Sequence, residues 1–520
     1  MKKLWFPAFI VLLGILNIGQ SLHFAINGDD WLALYRYNLY FNSFLSHFDI
    51  RNYSTASANY VFGYLMMGII SKLFSYNPYP YYLVALILRI ATAFSFYFSV
   101  YSATKNKWMS YLSATFFSCM FAGIETTNWV SNMNTYLSII LLNLFIHFFN
   151  NQKNKIISLR TLFQSFVLMA SFLVTPVRMH GLLFLIPAML IFKFKKINKN
   201  NIASFLLILS IFMIPLLLIR IFTYPDSQSD YLKVISMKDG GIFSVLFNLI
   251  TNLGFSSLPN ILINQDASLK NLYTVAGGLT LLILSIYFLC IRSVYPLFAR
   301  FGLLSLTLSI SFLVIPGFIN PTSVFPSDHR YLIIPGSWLM IAFSVFIVTL
   351  YYQKNNLSKS AAVLFALFII LINSFALQKY FNILSAKGRL ASDSERIFNL
   401  INNKIVPTED KTPLVFLFLS NDGFFLYNAV NFGFTPHMMT INKAFAKDPQ
   451  QAPFAVDNID SLKSVLADPD SSELKRYGYK PVKIPIGNVY SFYADQGQIL
   501  DYTDQIREKL TNMNKNNKEI

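Results

Sequence analysis

The chain is short of charge. Only 13% of its 520 residues are Asp, Glu, Lys or Arg, against roughly 25% in an average soluble domain. That deficit excludes an ordinary cytosolic enzyme, a disordered chain and a coiled coil, all of which need more polar surface. Cysteine is scarcer still. Cys119 and Cys290 are the only two, both inside apolar runs, so no disulfide framework is implied. No internal repeat of fixed spacing and no low-complexity segment occurs. A net charge of +17 would suit nucleic acid if the basic residues clustered on one solvated face. They are diluted among apolar runs instead, and no nucleic-acid partner is expected.

What fills the chain is apolar and aromatic: 54% hydrophobic residues, 16% of the total being Phe, Trp or Tyr. Runs long enough, or nearly so, for a hydrocarbon layer of about 30 Å recur over the first three-quarters of the sequence. They predict eleven spans near 4–22, 80–103, 108–124, 135–150, 161–177, 180–194, 202–222, 273–291, 300–318, 331–351 and 360–380. The expected fold class is an α-helical polytopic membrane protein with additional interfacial helices. The first run ends without a small-x-small cleavage pattern, so it reads as a retained anchor in the bilayer.

Charge tests this threading. With the N-terminus in the cytoplasm, the cytoplasmic loops collect Lys2, Lys3, Lys105, Lys107, Lys153, Lys155, Arg160, Lys193, Lys195, Lys196, Lys199, Arg292, Arg300, Lys354 and Lys359, and no acid. Lys and Arg bias sets orientation. All nine acids before position 384, namely Asp29, Asp30, Asp49, Glu125, Asp226, Asp230, Asp239, Asp266 and Asp328, fall on the other side. Acids contribute little to orientation, so their segregation calls for a reason of its own, and chemistry outside the cytoplasm supplies one. The segment 59–74 is apolar, but counting it as a span would invert every later loop, so it is expected to be an interfacial helix. A first outer loop, 23–79, results.

From residue 384 the composition turns soluble, with sixteen basic and sixteen acidic residues. Residues 1–383 therefore form the expected membrane domain and 384–520 a small α/β domain outside the cytoplasm. The run Pro413 to Ser420 reads as a buried strand, and Asn421-Asp-Gly423 as a turn. Val482 to Ile486 and Val489 to Tyr493, separated by Gly487-Asn488, read as a hairpin. Asn512 to Ile520 is expected to be frayed.

The most informative stretch is Asn27 to Arg36, NGDDWLALYR. Adjacent carboxylates at a membrane boundary repel and resist desolvation. A metal, a cation such as Arg36, or an acceptor hydroxyl awaiting a general base would compensate; equally, Asp29 or Asp30 can cap the helix that follows. Further on, a span carries Arg89 in its apolar sequence. Glu125 ends the third span, where it is either a site residue or a helix-terminal surface acid. Arg178 and His180 follow the fifth span in TPVRMHG; the Arg can bind a phosphate through its planar donors or anchor in headgroups, and the His is a weaker candidate. Asp328, His329 and Arg330 crowd the boundary of the tenth span in FPSDHRYLIIPG, with Arg330 available to a phosphate unless Asp328 pairs with it.

A retained first span, a large outer loop with an acidic pair, a short aromatic helix and an Arg-bearing span resemble the GT-C superfamily of integral-membrane glycosyltransferases. The likeness is greatest to bacterial members that use a polyprenyl-phosphate sugar: the protein mannosyltransferase, aminoarabinose transferase and O-antigen glucosyltransferase families. The resemblance covers the layout of residues 1–380, and its one sharp motif is the acid pair. It implies Asp29 or Asp30 as the catalytic acid of the first outer loop, with Glu125 as a second acid. It further implies Arg330, Arg178 and His329 at the donor phosphate, and it leaves His180, Arg36 and Arg89 as further substrate-binding positions. The implied activity is inverting hexosyl or pentosyl transfer from a polyprenyl-phosphate sugar to a glycan, glycolipid or protein at the outer face of the bacterial cytoplasmic membrane, as in cell-envelope lipopolysaccharide biosynthesis. No cofactor is required, though a divalent metal at the acid pair fits the charge. The rival readings are a transporter or flippase for lipid-linked glycans, and an O-antigen polymerase.

Overall fold

A computed structural model describes residues 5–40, 49, 51, 60–150, 159–182, 214, 221, 241–262, 270–319, 324–386, 390, 412–420, 434–441, 445, 448–476, 479–495 and 498–516. Two compact units emerge. One draws on Met1–Ser21, His47–Gly63 and Tyr82–Tyr380, the other on Leu22–Ser46, Tyr64–Tyr81 and Phe381–Ile520.

In chain order the helices up to residue 386 are α1 (Trp5–Ile18), α2 (Asp29–Tyr40), α3 (Val61–Phe74), α4 (Pro78–Thr104), α5 (Lys107–Cys119), α6 (Glu125–Asn128) and α7 (Asn134–Asn150). They continue with α8 (Leu159–Val174), α9 (Pro176–Met179), α10 (Gly241–Ser257), α11 (Lys270–Cys290), α12 (Pro296–Ile319), α13 (Ile333–Tyr351) and α14 (Asn356–Ala386). Among the described residues, seven helical stretches are long and apolar enough to cross a membrane: Trp5–His23, Pro78–Thr104, Val130–Phe149, Lys270–Cys290, Pro296–Val314, Arg330–Tyr351 and Asn356–Ala386. At 1.5 Å per residue the shortest reaches about 28 Å. The expectation of eleven is met in part. The expected spans near 108–124 and 161–177 appear as the shorter helices α5 and α8. Those near 180–194 and 202–222 lie almost wholly outside the described residues. The apolar helix α3 has 14 residues, about 21 Å, too short to span unaided.

One helix was missing from the sequence reading. The segment 223–272 was expected to be a single outer loop, yet its second half holds the 17-residue α10. This helix packs antiparallel against α11, with the Thr251 and Thr274 hydroxyls 2.6 Å apart. The crossing is tight enough that a Cβ on Gly254 would sit 1.9 Å from the Tyr273 carbonyl oxygen, and one on Gly277 1.9 Å from that of Ile250. Glycine is the residue that permits such backbone approach. Asn248, Thr251 and Asn252 interrupt the apolar run and hid the helix from a length criterion.

Within the first unit the helices pack through polar stitches. The Asn134 amide donates to the Val174 carbonyl at 2.7 Å, the Ser171 hydroxyl to the Ser138 carbonyl at 2.8 Å, and the Asn143 amide to the Ser95 hydroxyl at 2.8 Å. Helix α4 stops where Lys105 adopts φ 55°, and Asn106 restarts the chain by accepting the Met109 N–H at 3.1 Å as the N-cap of α5. The side chain of Asn106 also donates to the Tyr352 hydroxyl at 2.8 Å, and Tyr295 donates to the Tyr352 carbonyl at 3.4 Å. These bonds gather the turns that carry Lys105, Lys107, Arg292 and Lys354. Glu125 and Asp328 lie beyond the opposite ends of α5 and α13.

The second unit is built on a four-stranded sheet of order β2-β1-β3-β4, from β1 (Val415–Ser420), β2 (Phe454–Val456), β3 (Val489–Asp495) and β4 (Gln498–Asp501). Strand β1 pairs in parallel with β2 and β3, and β3–β4 is antiparallel. Alternation along β1 sends Phe416 and Phe418 into one core and Val415 and Leu417 into another, so both faces are covered. The first core is closed by α15 (Phe434–Ile441), the second by α16 (Ile459–Ala467), α17 (Ser472–Arg476) and α18 (Thr503–Asn516).

The strand expected over Pro413–Ser420 is β1. The expected hairpin is corrected: β3 turns back into β4, while Ile486–Asn488 is a single 3-10 turn. Pro481 and Pro485 flank the discarded arm and cannot donate to a ladder, and the Val482 N–H bonds the Pro469 carbonyl at 2.9 Å instead. The expected frayed end is helical as far as Asn516, because Ile506 and Leu510 anchor α18 in the second core. The turn at Asn421–Gly423 lies outside the described residues.

Candidate functional site

At the end of the first unit that carries Glu125 and Asp328, the backbone is folded back on itself. Gly123 donates its N–H to the Ser327 carbonyl and Glu125 to that of Asp328, both at 2.9 Å. From the other side Asn252 accepts the Phe325 N–H at 2.9 Å, and Ser327 donates its hydroxyl to the Leu258 carbonyl at 3.1 Å. Residues 325–328 are thus held between the α5–α6 turn and the end of α10. Gly123 has φ +77°, and a Cβ there would meet the Ile333 nitrogen at 2.4 Å. Gly123→Ala is therefore expected to destabilise the protein by about 1–3 kcal/mol, read as a lowered Tm in lipid nanodiscs.

This clamp places the ionisable groups. The Glu125 carboxylate lies 3.7 Å from the Arg330 guanidinium and accepts the Arg330 backbone N–H at 3.4 Å. Arg330 rests over the Trp129 ring at 4.6 Å, a cation–π contact that holds it in place. The expected alternative, Asp328 paired with Arg330, is replaced by this pairing. Asp328 interacts with the Tyr380 hydroxyl, and its pKa is raised to about 7 by burial and then by the neighbouring Glu125 charge. A carboxyl whose folded pKa exceeds its unfolded value of about 4 stabilises the fold fully below pH 4, and this contribution is lost as pH rises through about 7. Apparent Tm should accordingly fall between pH 5 and pH 8, and Asp328→Asn should flatten that slope; an unchanged slope would contradict the assignment.

Arg178 is the second cation. It is 5% exposed, donates to the Thr135 hydroxyl and, at 2.5 Å, to the Asn132 side-chain oxygen, and lies 5.5 Å over the Tyr331 ring. It makes no salt bridge among the described residues. Burial, and then repulsion from Arg330, lower its pKa to about 10, so it remains charged at neutral pH. Tyr60 shares a hydrogen bond with Tyr331 and is pushed upward in pKa by burial and by Tyr331, against the lowering pull of the two arginines. Two cations against the ion-paired Glu125 and a partly protonated Asp328 leave the cluster fit for an anion.

His329 does not supply a third charge. Burial, Arg330 and Arg178 lower its pKa to about 3, so it stands beside Arg330 as a neutral ring. Its Nδ1 accepts the Tyr331 N–H at 3.3 Å, which leaves the ring proton on Nε2, and the ring clusters with those of Phe325 and Tyr331 at 4.4 and 5.2 Å. As a neutral donor it can still meet an oxygen.

Other expected residues stand elsewhere. Arg89, 1% exposed, donates to the Thr127 and Tyr136 hydroxyls at 3.3 and 3.2 Å and to the Met120 carbonyl at 2.5 Å. It ties α4 to the α5–α7 segment, a structural use that corrects its reading as a substrate contact. His180 meets Phe172 edge-on at 5.8 Å, and burial lowers its pKa.

In the second unit Arg36 donates to the Tyr64 hydroxyl at 2.9 Å. Asp29 and Asp30 form the first turn of α2, where carboxylates suit the helix dipole, after Gly28 at φ 50°. Asp30 is 0% exposed, whereas Asp29 is half-buried. Among the described residues no three His, Cys, Asp or Glu gather where they could hold a metal ion.

Tyr60, Trp129, Asn132 and Thr135 were not singled out from the sequence, whereas Tyr331 stands out there as the partner of Arg330 in the Arg-Tyr pair that opens the tenth span. The position of Asn132 near a span end is the signal that could have marked it.

No family model and no curated protein matches the chain. Among solved structures it is similar to the archaeal oligosaccharyltransferase AglB from Archaeoglobus fulgidus in complex with an inhibitory peptide and a dolichol-phosphate. That likeness has 11% identity over 95% of this chain and 69% of that one, with a TM-score of 0.41. It is also similar to an Archaeoglobus fulgidus oligosaccharyltransferase in complex with Zn and sulfate, at 12% identity over 94% and 67% and TM-score 0.41. An apo form gives 13% identity over 80% and 62% and TM-score 0.39. All three scores lie below 0.5, so the side chains, not the likeness, bear the functional reading.

Proposed function

We propose that the protein is a GT-C-type membrane glycosyltransferase. It moves a sugar from a polyprenyl-phosphate donor to a glycan, lipid or protein hydroxyl at the face of the membrane opposite its basic turns, which is the outer face if those turns are cytoplasmic. The observation that carries this reading is Arg178, a buried cation with no salt bridge among the described residues, set beside Arg330. A buried charge without a counterion is costly, and an anionic ligand removes that cost.

The chemistry suits the charge count. An acceptor hydroxyl attacks the anomeric carbon, the carbon–oxygen bond to phosphate breaks, and the hydroxyl proton passes to a carboxylate. The donor phosphodiester carries one negative charge, and the departing phosphate monoester approaches two. Two arginines therefore bind the leaving group more strongly than the donor, the condition for catalysis. A single displacement of this kind inverts the anomeric centre. Asp29 or Asp30 is the base in this reading, and Asp29 is favoured because a base must reach the proton it takes. Glu125 holds Arg330 in place, and no cofactor is called for. Against the transporter reading, Arg89, a cation near the middle of the span Pro78–Thr104, is bound to protein acceptors.

The test is transfer by purified protein in nanodiscs from a synthetic polyprenyl-phosphate hexose or pentose. Release of polyprenyl phosphate together with an inverted glycosidic linkage is expected, and the rate should survive a chelator. Translocation of the intact donor without release would instead identify a flippase.

A further inference from the structure

The helix that carries the acid pair is held by the C-terminal sheet domain. Trp31 follows Asp30 directly, and its ring stacks on His437 of α15 at 3.9 Å and 20°. Its indole N–H donates to the Ile26 carbonyl at 3.0 Å, across the turn in which the acids stand. One helical turn later Tyr35 packs on the core of Phe416, Phe434 and Met438. Residues 31 and 35 share one face of α2, and this face lies on α15.

The other residues follow from helical geometry. At about 100° per residue, Asp30 sits a quarter-turn from Trp31 and Asp29 on the far side, in keeping with a buried Asp30 and a half-buried Asp29. Helix α15 is itself fixed, since Phe434, Met438 and Met439 enter the sheet core. Tyr76, in the turn between α3 and α4, completes the contact: its ring lies 5.7 Å from Trp31, and its hydroxyl donates to the Thr440 carbonyl at 3.5 Å. Trp31 and His437 are 6% and 5% exposed, too enclosed for an interaction that solvent could replace.

Accepting the acid pair as the catalytic carboxylates, we infer that the C-terminal domain serves as the mould for it: His437 and Trp31 are positioning residues that set the direction of Asp29 through their stack. The domain then acts on the chemical step without touching a substrate. Burial lowers the His437 pKa to about 3, so the ring is neutral at working pH, and Phe can replace it in the stack.

The experiment uses the full-length protein in nanodiscs with a polyprenyl-phosphate sugar, and compares His437→Ala with His437→Phe. For the Ala variant the expected result is a kcat lowered at least 10-fold, a donor KM within 2-fold of wild type, and faster amide exchange confined to residues 29–40. The Phe variant should recover to within 2-fold of wild type in both readouts. Full kcat in the Ala variant, or loss in the Phe variant equal to that in Ala, would overturn the inference. Should Asp29→Asn and Asp30→Asn both keep full activity, the catalytic reading has failed. Amide exchange then decides alone: faster exchange over 29–40 in the Ala variant still supports the mould, and unchanged exchange refutes it.

Discussion

Asp29→Asn is expected to lower sugar transfer by about 10²–10⁴-fold, the usual worth of a general base, while donor binding stays within a few-fold of wild type. Asn keeps the size of Asp and can keep its first-turn hydrogen bonding, so α2 should remain folded. What it removes is the ability to take the acceptor proton. Asp30→Asn is expected to cost less than 10-fold, because the 0% exposed Asp30 is enclosed on the buried side of the first turn and does not reach a hydroxyl. The comparison is made on initial rates at equal protein, with the surface glycans of the host strain as a second readout. A larger loss in the Asp30 variant would exchange the two roles. Full activity in both would end the catalytic assignment.

Arg178→Gln carries the second large effect, and it separates stability from function. Arg178 makes no salt bridge among the described residues; a buried cation so placed costs folding energy, and its removal is commonly neutral or stabilising; Gln can still donate to Asn132 or Thr135, the acceptors Arg178 now serves. Tm is therefore expected to hold or rise. Affinity for the donor phosphate should fall about 10- to 100-fold, since a hydrogen bond to a charged group is worth roughly 1.5–3 kcal/mol. A structural arginine would behave in the opposite way, with Tm lowered and affinity retained. Such a trade of stability for function is common at binding sites.

Much of the frame was legible from apolar length and charge position, because both are local properties. The run Pro413–Ser420 could hardly be anything but a buried strand, and the basic turns at Lys105, Arg292 and Lys354 do lie together. Helix α10 was not legible, because Asn248, Thr251, Asn252 and Gly254 answer to packing against α11, not to hydrocarbon. Proline chemistry at 481 and 485 argued against the hairpin arm from the start, and the alternating apolar pattern masked it.

In the site, Glu125, Arg178 and Arg330 were visible because ionisable residues at span ends are few. Their partnerships were not visible. Glu125 and Arg330 are 205 positions apart, and only the bonds from Gly123 and Glu125 to Ser327 and Asp328 bring them into contact. The neutrality of His329 has the same origin: burial and two arginines lower its pKa, and the second arginine, Arg178, is 151 residues away in the sequence. The link between α2 and α15 left no trace either, since one Trp and one His carry no pattern.

The central claim is that Arg178 and Arg330 form a site for a lipid-borne phosphate. Its most direct measurement is the binding of a short-chain polyprenyl phosphate to wild-type protein in nanodiscs and to the Arg178→Gln/Arg330→Gln double variant, with the corresponding polyprenol as control. Saturable binding of the phosphate, weak binding of the alcohol, and at least 100-fold loss in the double variant with Tm maintained are predicted. Equal affinity for phosphate and alcohol, or equal affinity in wild type and double variant, would contradict it.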